Sequence, residues 1–291
     1  MTWFILALGA ALFWGVSQVF VKRGFHDISP LWTNIFSGAV ALVVWVPTVL
    51  FLLGFKLTIP SLPVLLPILL VVAFNMFYYY AISRGKLALT GTVVAAYPLA
   101  TIFWSAIFLA ERLEILQWFG VALMISGGVV VSFPEKQADR KNNFSWLWWG
   151  LAGAVFLGTG DFLSKVVVNR IGAYSYIFFN TILFNLLLLA NYLVDKKGRA
   201  LPKFSWKKFL PSIIGVTLLS TGTLLFYLAF DYGKVSLITP ISSIYPAITV
   251  FLAIIFLKER ISRRQSLGIV GKKKNLSSGR QTPFKLASKK L

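Results

Sequence analysis

The chain has 291 residues, of which 57% are hydrophobic and only 13% are charged, and its formal net charge is +20. A chain this apolar cannot hide its surface in one water-soluble core, so a soluble globular protein is excluded. We predict an all-α integral membrane protein.

Nine apolar runs have the length of about 20 residues that a helix needs to cross a hydrocarbon layer of about 30 Å. The turns between them are short, so consecutive helices are expected to be antiparallel neighbours. The first run lacks the basic start and the cleavage site of a signal peptide, and it is expected to remain as a span. The predicted spans cover residues 2–21, 31–53, 62–82, 87–110, 115–133, 146–168, 174–194, 210–230 and 235–257.

Residues 79–121 and 227–269 align without a gap at a fixed offset of 148 residues, which indicates a duplicated chain. With five spans per copy, an odd number, the second copy enters the membrane from the opposite side, which predicts two inverted repeats in a ten-span plan. We assign the first repeat to residues 1–134, a polar linker to 135–143 and the second repeat to 144–270. The aligned pairs include Gly85 with Gly233, Tyr97-Pro98 with Tyr245-Pro246, Thr101 with Thr249 and Glu111-Arg112 with Glu259-Arg260.

The second copy stops short of its fifth span. The first copy continues from Gln117 as QWFGVALMISGG, whereas the second begins QSLGIV at Gln265 and changes at Gly271 to a basic, Ser-rich sequence. Each central Lys would cost about 3 kcal/mol in lipid, so residues 271–291 are not expected to form the tenth span. Two interpretations remain: the coding sequence is shifted or rearranged near Val270, or the protein is a genuine nine-span variant whose basic tail binds anionic lipid headgroups.

Several motifs occur in a fixed order: Phe13-Trp14-Gly15 in the first span, Ala96-Tyr97-Pro98 and Ile244-Tyr245-Pro246, the Glu-Arg pair after each fourth span, and the Q-x-x-G that opens the fifth. With the repeat, these motifs resemble the EamA-type family of the drug/metabolite transporter superfamily. The resemblance covers residues 2–270. It implies two five-helix repeats around a central cavity and the transport of small metabolites, and the missing tenth helix departs from that plan.

Basic residues are unevenly distributed between the two sides of the predicted bundle. The odd-numbered loops contain 17 Lys and Arg residues, whereas the even-numbered loops contain four: Lys56, Arg112, Arg170 and Lys234. Because cytoplasmic loops are enriched in Lys and Arg, we predict a protein of the cytoplasmic membrane with its N-terminus outside. The resembled family more often has both termini in the cytoplasm. The dispersed charges suit lipid headgroups and do not indicate a nucleic-acid site.

Asp161 is the only carboxylate within a predicted span, and Lys165 follows it at the spacing where side chains on one helix meet. An ionisable side chain inside the membrane indicates a functional site, where Asp161 would bind a cationic group or carry a coupling proton. The alternative is a structural ion pair with Lys165 near the membrane boundary. Aligning Phe13-Trp14-Gly15 with Phe156-Leu157-Gly158 places Gln18 opposite Asp161, so only one half has the charge.

Pro98 and Pro246 lie near the middle of the fourth and ninth predicted spans. A proline there removes a backbone hydrogen bond, and the freed carbonyl must face protein or a cavity rather than lipid. We predict that these two broken helices line a substrate site; the alternative is a pair of kinks that serve only packing. Their candidate residues are Tyr97, Pro98, Thr101, Tyr245, Pro246 and Thr249.

Further polar and aromatic side chains fall within the predicted spans. Most such groups join helices at about 0.6 kcal/mol each in lipid, and a minority contact a ligand. An indole at the depth of Trp14 can stack on a solute, although packing is its commoner role. The remaining candidate substrate contacts are Trp14, Gln18, Asn75, Tyr79, Asn180, Tyr227 and Ser242.

The residue inventory narrows the function. The chain has no Cys and one His, His26. It therefore has almost none of the side chains that most metal sites and cysteine or histidine catalysis require. We predict a secondary transporter, without cofactor and not an enzyme, for a small solute such as an amino acid, sugar, nucleobase or amphipathic drug-like molecule. Its partners are the solute, membrane lipids and a coupling proton or cation, and a homo-oligomer is compatible with this interpretation. The alternative is a membrane-embedded enzyme or lipid-handling protein, such as a flippase or modifier of a lipid-linked sugar.

Overall fold

The structure is a computed structural model that describes residues 1–24, 29–53, 56–84, 94, 96–132, 145–200 and 206–257. Within these ranges every regular element is an α-helix, which confirms the predicted all-α membrane fold. The helices are α1 (Thr2–Gly24), α2 (Pro30–Leu53), α3 (Leu62–Arg84), α4 (Pro98–Phe108), α5 (Ile115–Ser132), α6 (Ser145–Ile171), α7 (Ala173–Val194), α8 (Trp206–Ala229), α9 (Val235–Ser242) and α10 (Tyr245–Leu257).

Three of the described helices are long and apolar enough, by length and composition alone, to cross a membrane. Their apolar segments are Leu31–Leu52 in α2, Trp148–Ile171 in α6 and Ala173–Val194 in α7, and shorter apolar segments occur in α1, α3 and α8. Large side chains such as Phe51, Leu66 and Leu189 point outward, as expected for a surface in contact with lipid. The linker 135–143 and the tail 271–291 lie outside the described residues.

The predicted span 235–257 is two helices. α9 ends at Ser242, two turn residues follow, and α10 begins at Tyr245. The prolines therefore do not kink continuous helices, because Pro98 and Pro246 each lie in the first turn of a new one. Proline is tolerated there, since the first backbone N–H groups of a helix have no partner within it and the fixed φ suits a helix start.

Helices from the two halves of the chain interlock. α1 packs along α8, α3 along α6, and α2 along α7. The core between them includes Tyr176, Phe230, Leu31 and Ile68, which are almost completely buried. Each half therefore buries its apolar side chains against the other half.

The connections group at two ends of the bundle. At the N-terminal end, Gly233 lies against Trp3, and the Thr58 amide donates to the Ser175 hydroxyl at 3.0 Å. At the opposite end, the Ser29 hydroxyl donates to the Gly198 carbonyl at 2.9 Å. The N-terminus and the connections after α2, α6 and α8 thus share one end.

Candidate functional site

Asp161 lies inside the bundle on α6. It precedes the helix end at Ile171 by ten residues, so it is about 15 Å from the N-terminal end of the bundle. Its Oδ2 accepts a hydrogen bond from the Thr239 hydroxyl of α9 at 3.3 Å. Asp161 is half-buried where α6 packs against α9. A neutral hydroxyl does not balance a carboxylate, so this position can attract a proton or a cation.

A polar network extends from α6 to α7, α8 and α3. The hydroxyls of Ser164 and Tyr176 are 2.6 Å apart, and the Tyr176 hydroxyl donates to Asn180 Oδ1 at 3.5 Å. Tyr227 meets the Tyr176 ring edge to face, with centroids 5.0 Å apart, and its hydroxyl interacts with Asn75. Three candidates from the sequence, Asn75, Asn180 and Tyr227, therefore come together from both halves of the chain.

Lys165 is directed toward the N-terminal end of the bundle. Its side chain is buried, and its ammonium donates to the main-chain carbonyl of Phe230, in the turn after α8. In the same turn, the Asp231 carboxylate accepts the Ala173 N–H at 3.0 and 3.2 Å. Partial desolvation raises the pKa of Asp231, and this hydrogen bond and the nearby Lys165 oppose the rise. Lys165 is thus bound to the α8–α9 turn, whereas Asp161 is bound to α9.

The start of α4 packs closely against Gly158 of α6. A Cβ on Gly158 would lie 2.3 Å from the Tyr97 carbonyl oxygen and 2.6 Å from Ala100 Cβ, so only glycine allows this approach. The Thr101 hydroxyl donates to the Gly158 carbonyl at 3.0 Å. The start of α4 is therefore fixed to α6 one turn before Asp161.

The start of α10 packs against Gly15 of α1 in the same way. A Cβ on Gly15 would lie 2.6 Å from Ile248 Cγ2 and 3.1 Å from the Tyr245 carbonyl oxygen. The Thr249 hydroxyl donates to the Gly15 carbonyl at 3.0 Å. Tyr245, Ile248 and Thr249 stand 148 positions after the three residues that contact Gly158. The two contacts therefore use equivalent positions of the aligned segments.

Trp14 lies between α8 and α10. Its indole N–H donates to the Leu219 carbonyl at 3.2 Å and to the Thr223 hydroxyl at 3.1 Å. Its ring is 5.9 Å from the Tyr245 ring, edge to face. Because the N–H is already bonded, a solute would meet the indole ring and not its donor. Gln18 is half-buried one turn further along α1.

The structure places the candidates from the sequence in three groups. One surrounds the polar network, one surrounds Gly158 and one surrounds Gly15; the side chain of Tyr79 lies outside the described residues. Ser242 belongs to the third group because its hydroxyl donates to the Ala7 carbonyl of α1 at 3.3 Å. Solute contact remains a prediction for all of them. The groups are Asn75, Asp161, Asn180 and Tyr227; Tyr97, Pro98 and Thr101; and Trp14, Gln18, Ser242, Tyr245, Pro246 and Thr249.

Sequence reasoning missed three members of this region: Ser164, Tyr176 and Thr239. A weak signal was present for Tyr176, which precedes Asn180 by one helical turn, the spacing at which polar side chains on a helix meet. No comparable signal singles out Thr239, because its partner Asp161 belongs to a helix 78 residues away in sequence.

The donor groups around Asp161 limit what can bind there. Among the described residues, no three His, Cys, Asp or Glu side chains are grouped to hold a metal ion. Transition metals prefer imidazole and thiolate ligands, whereas the partner of Asp161 is a hydroxyl. The position suits a proton, a monovalent cation or an organic ammonium group.

Removing one hydroxyl tests the contact at Gly158. We expect Thr101→Val to reduce the free energy of unfolding by about 0.6 kcal/mol, the average for such bonds in membrane proteins. Valine keeps the shape and loses the donor to the Gly158 carbonyl. Thermal unfolding in detergent measures the change, and Ser126→Ala is the control, because that exposed hydroxyl bonds within its own helix. An unfolding temperature equal to that of the wild type would contradict the assigned contact.

Comparison with known proteins decides the family. The model of the EamA-like transporter family matches residues 1–133 and 144–271. The chain belongs to this family. The family predicted from the Tyr-Pro, Glu-Arg and Q-x-x-G motifs is therefore confirmed, and this EamA-like protein is a membrane transporter.

The relatives of the EamA-like chain span archaea and plants. An uncharacterised transporter of Archaeoglobus fulgidus is 23% identical over 270 residues, which cover 91% of this chain and 93% of the relative. An uncharacterised protein of Methanocaldococcus jannaschii is 38% identical over 121 residues, which cover 42% of this chain and 85% of the relative. A WAT1-related protein of Arabidopsis thaliana is 32% identical over 108 residues, 35% of this chain and 30% of the relative.

A solved crystal structure shares the architecture of the EamA-like chain. The two superpose with a TM-score of 0.73 over 91% of this chain and 92% of the other. Their sequences are 16% identical, so the match shows a common fold and leaves the solute undetermined.

Proposed function

We propose that this EamA-like protein is a secondary transporter that moves a small metabolite across the cytoplasmic membrane by alternating access. The observation that supports it best is the non-helical backbone inside the bundle, where α9 ends at Ser242 and α10 begins at Tyr245. Within a membrane, non-helical backbone is tolerated where protein buries it or where it lines a cavity. Half-helices that end near the midplane are a recurrent way of building transporter sites.

Asp161 is the proposed charged group of the transport site. The residue is half-buried, lies about 15 Å from the bundle end and accepts a hydrogen bond from the interrupted segment through Thr239. It would bind a coupling proton or cation, or a cationic group of the solute. Hydroxyl, amide and aromatic groups of Tyr227, Asn75 and Asn180 suit a polar or amphipathic metabolite, which includes amino acids, sugars, nucleobases and drug-like molecules.

We propose that the N-terminal end of the bundle faces the outside of the cell. Among the described connections, those at this end include Lys56 and Lys234, whereas the short connection after α7 at the opposite end alone holds Lys196, Lys197 and Arg199. An excess of Lys and Arg is typical of cytoplasmic loops. Cysteines introduced at Glu114 and at Lys196, labelled on intact cells with an impermeant thiol reagent, test this: only the first should react.

Transport itself is tested in two steps. Purified protein is screened against a metabolite library by thermal unfolding, because a ligand of the folded state raises its unfolding temperature. Each ligand found is then measured for saturable flux and counterflow in proteoliposomes with an imposed proton or sodium gradient. Saturable flux above protein-free liposomes supports the proposal. A folded protein that moves labelled phospholipid between leaflets and no soluble ligand would instead support the lipid-handling alternative.

A further inference from the structure

Glu111, in the connection between α4 and α5, caps a helix of the other half of the chain. Its Oε1 accepts the Val235 N–H at 3.2 Å, and its Oε2 accepts the Ser236 N–H at 3.0 Å and the Ser236 hydroxyl at 2.5 Å. The N-cap residue of α9, Lys234, provides no side-chain cap of its own. The first turn of α9 is therefore capped by a carboxylate more than 120 positions earlier in the chain.

The physical chemistry makes this a strong contact. Val235 and Ser236 are buried, so their amide groups have no access to bulk water. Hydrogen bonds to a carboxylate are shorter and stronger than neutral ones, and a negative charge is favourable at the N-terminus of a helix. A second contact crosses beside it, because the Lys234 ammonium donates to the Arg112 carbonyl at 2.9 Å.

The backbone before Glu111 holds the carboxylate in place. Ala110 has φ 52°, a left-handed conformation that residues with a Cβ disfavour, at the end of α4. The N–H groups of Leu109 and Glu111 both donate to the Ser105 carbonyl, at 3.0 and 3.2 Å, which ends the helix as a tight reverse turn. This turn places Glu111 against the first turn of α9, so a disfavoured conformation is retained where it positions the carboxylate.

The same short helix carries the partner of Asp161. α9 has eight residues, and Thr239 follows Ser236 by one turn. A helix this short moves as one body, so displacement of its N-terminus from Glu111 also displaces the Thr239 hydroxyl from Asp161. Movement of α9 away from Glu111 would therefore also change the hydrogen bond at Asp161.

We propose that Glu111, Val235 and Ser236 form a clasp that closes the N-terminal end of the bundle, and that the clasp must open for solute to reach Asp161 from that end. The role of the clasp in solute entry rests on the proposed transport function. Its effect on how easily a reagent reaches the interior of the bundle does not. Glu111 is thus a positioning residue that acts through α9.

The chain has no cysteine, so one introduced thiol is a clean reporter of access. Ser164→Cys places it on α6 beside Tyr176, where the serine is fully buried. A membrane-impermeant methanethiosulfonate is added to vesicles on the side of the N-terminal end. We expect Glu111→Gln to increase the labelling rate about tenfold, because the amide loses the charge and one of the acceptor oxygens. Glu114→Gln, the same charge change on an exposed side chain three positions later, should leave the rate unchanged.

A second reporter separates clasp opening from general loosening. Ser37→Cys lies on α2 toward the opposite end of the bundle, and its labelling should not change in Glu111→Gln. An equal increase at both reporters, or no increase at Ser164→Cys, would overturn the clasp. If Glu111→Gln does not fold, Ser236→Ala removes one of the three contacts and should increase labelling about threefold.

The outcome of the labelling does not depend on an identified solute. If the protein shows no flux in proteoliposomes but Glu111→Gln still increases the labelling rate at Ser164→Cys, the clasp is supported and the transport function is rejected. If the protein transports solute but Glu111→Gln does not increase the labelling rate, only the clasp is rejected.

Discussion

Gly158→Ala is expected to destabilise the protein more than a Gly→Ala substitution at any other described glycine. The new Cβ would lie 2.3 Å from the Tyr97 carbonyl oxygen, 2.6 Å from Ala100 Cβ and 2.9 Å from the Thr101 nitrogen. Two of these atoms are backbone and cannot rotate away, so α4 must move off α6. Overpacking of this kind costs about 1–3 kcal/mol, and the hydrogen bond from Thr101 is lost as well.

Two glycines provide a graded control for this result. A Cβ on Gly160, two positions along α6, would meet nothing within 4 Å, so Gly160→Ala should leave the unfolding temperature nearly unchanged. Gly15→Ala should fall between them, since its nearest backbone atom, the Tyr245 carbonyl oxygen, would lie 3.1 Å from the new Cβ, against 2.3 Å for the nearest backbone atom at Gly158. Thermal unfolding in detergent gives the order directly. Equal unfolding temperatures for the Gly158 and Gly160 variants would show that α4 does not rest on Gly158.

Asp161→Asn is expected to abolish gradient-driven transport in a protein that still folds. The amide keeps an oxygen that can accept the Thr239 hydroxyl, and it loses the only carboxylate charge in a predicted span. We expect flux in proteoliposomes to fall at least about tenfold, because a neutral amide neither takes up a proton nor binds a cation strongly. The unfolding temperature measures folding in the same preparation.

Counterflow separates the two roles proposed for Asp161. If the carboxylate carries a coupling ion, exchange of solute down its own gradient persists in Asp161→Asn while uphill accumulation stops. If it binds a cationic group of the solute, both activities are lost. Glu114→Gln matches the charge change at an exposed position and should transport normally. Unchanged accumulation in Asp161→Asn, with Tyr245→Phe equally active, would remove these residues from the transport site.

The sequence alone predicts most of the described helices and the positions at which α4 and α10 begin. Apolar runs of membrane-spanning length predict α2 and α7 to within about one residue, and the aligned Tyr-Pro pairs mark where α4 and α10 begin. The alignment also predicts that Thr101 and Thr249 have equivalent environments, and each donates to a glycine carbonyl on an N-terminal helix of the other half. Local patterns repeat faithfully because each copy must satisfy the same backbone groups in lipid.

Partner choice could not be predicted from spacing. Lys165 follows Asp161 by four positions, which allows an ion pair, but the lysine side chain reaches the Phe230 carbonyl and the aspartate accepts from Thr239. Both choices depend on how the α8–α9 turn packs against α6, which is a contact between helices distant in sequence. Glu111 is similar: its place at the end of a predicted span suits a helix cap or a salt bridge to a neighbouring loop, and only the packing of the halves identifies α9 as the helix it caps.

The interruption between α9 and α10 has a mechanical consequence. These segments are rods of about 12 and 20 Å, and the two residues that join them already depart from regular helix. A change of angle there breaks few backbone hydrogen bonds, since Pro246 has no N–H to lose. An equal bend in the uninterrupted α6 would expose several backbone groups to hydrocarbon, each at a cost of several kcal/mol. The α9–α10 junction is therefore expected to bend more easily than the middle of α6.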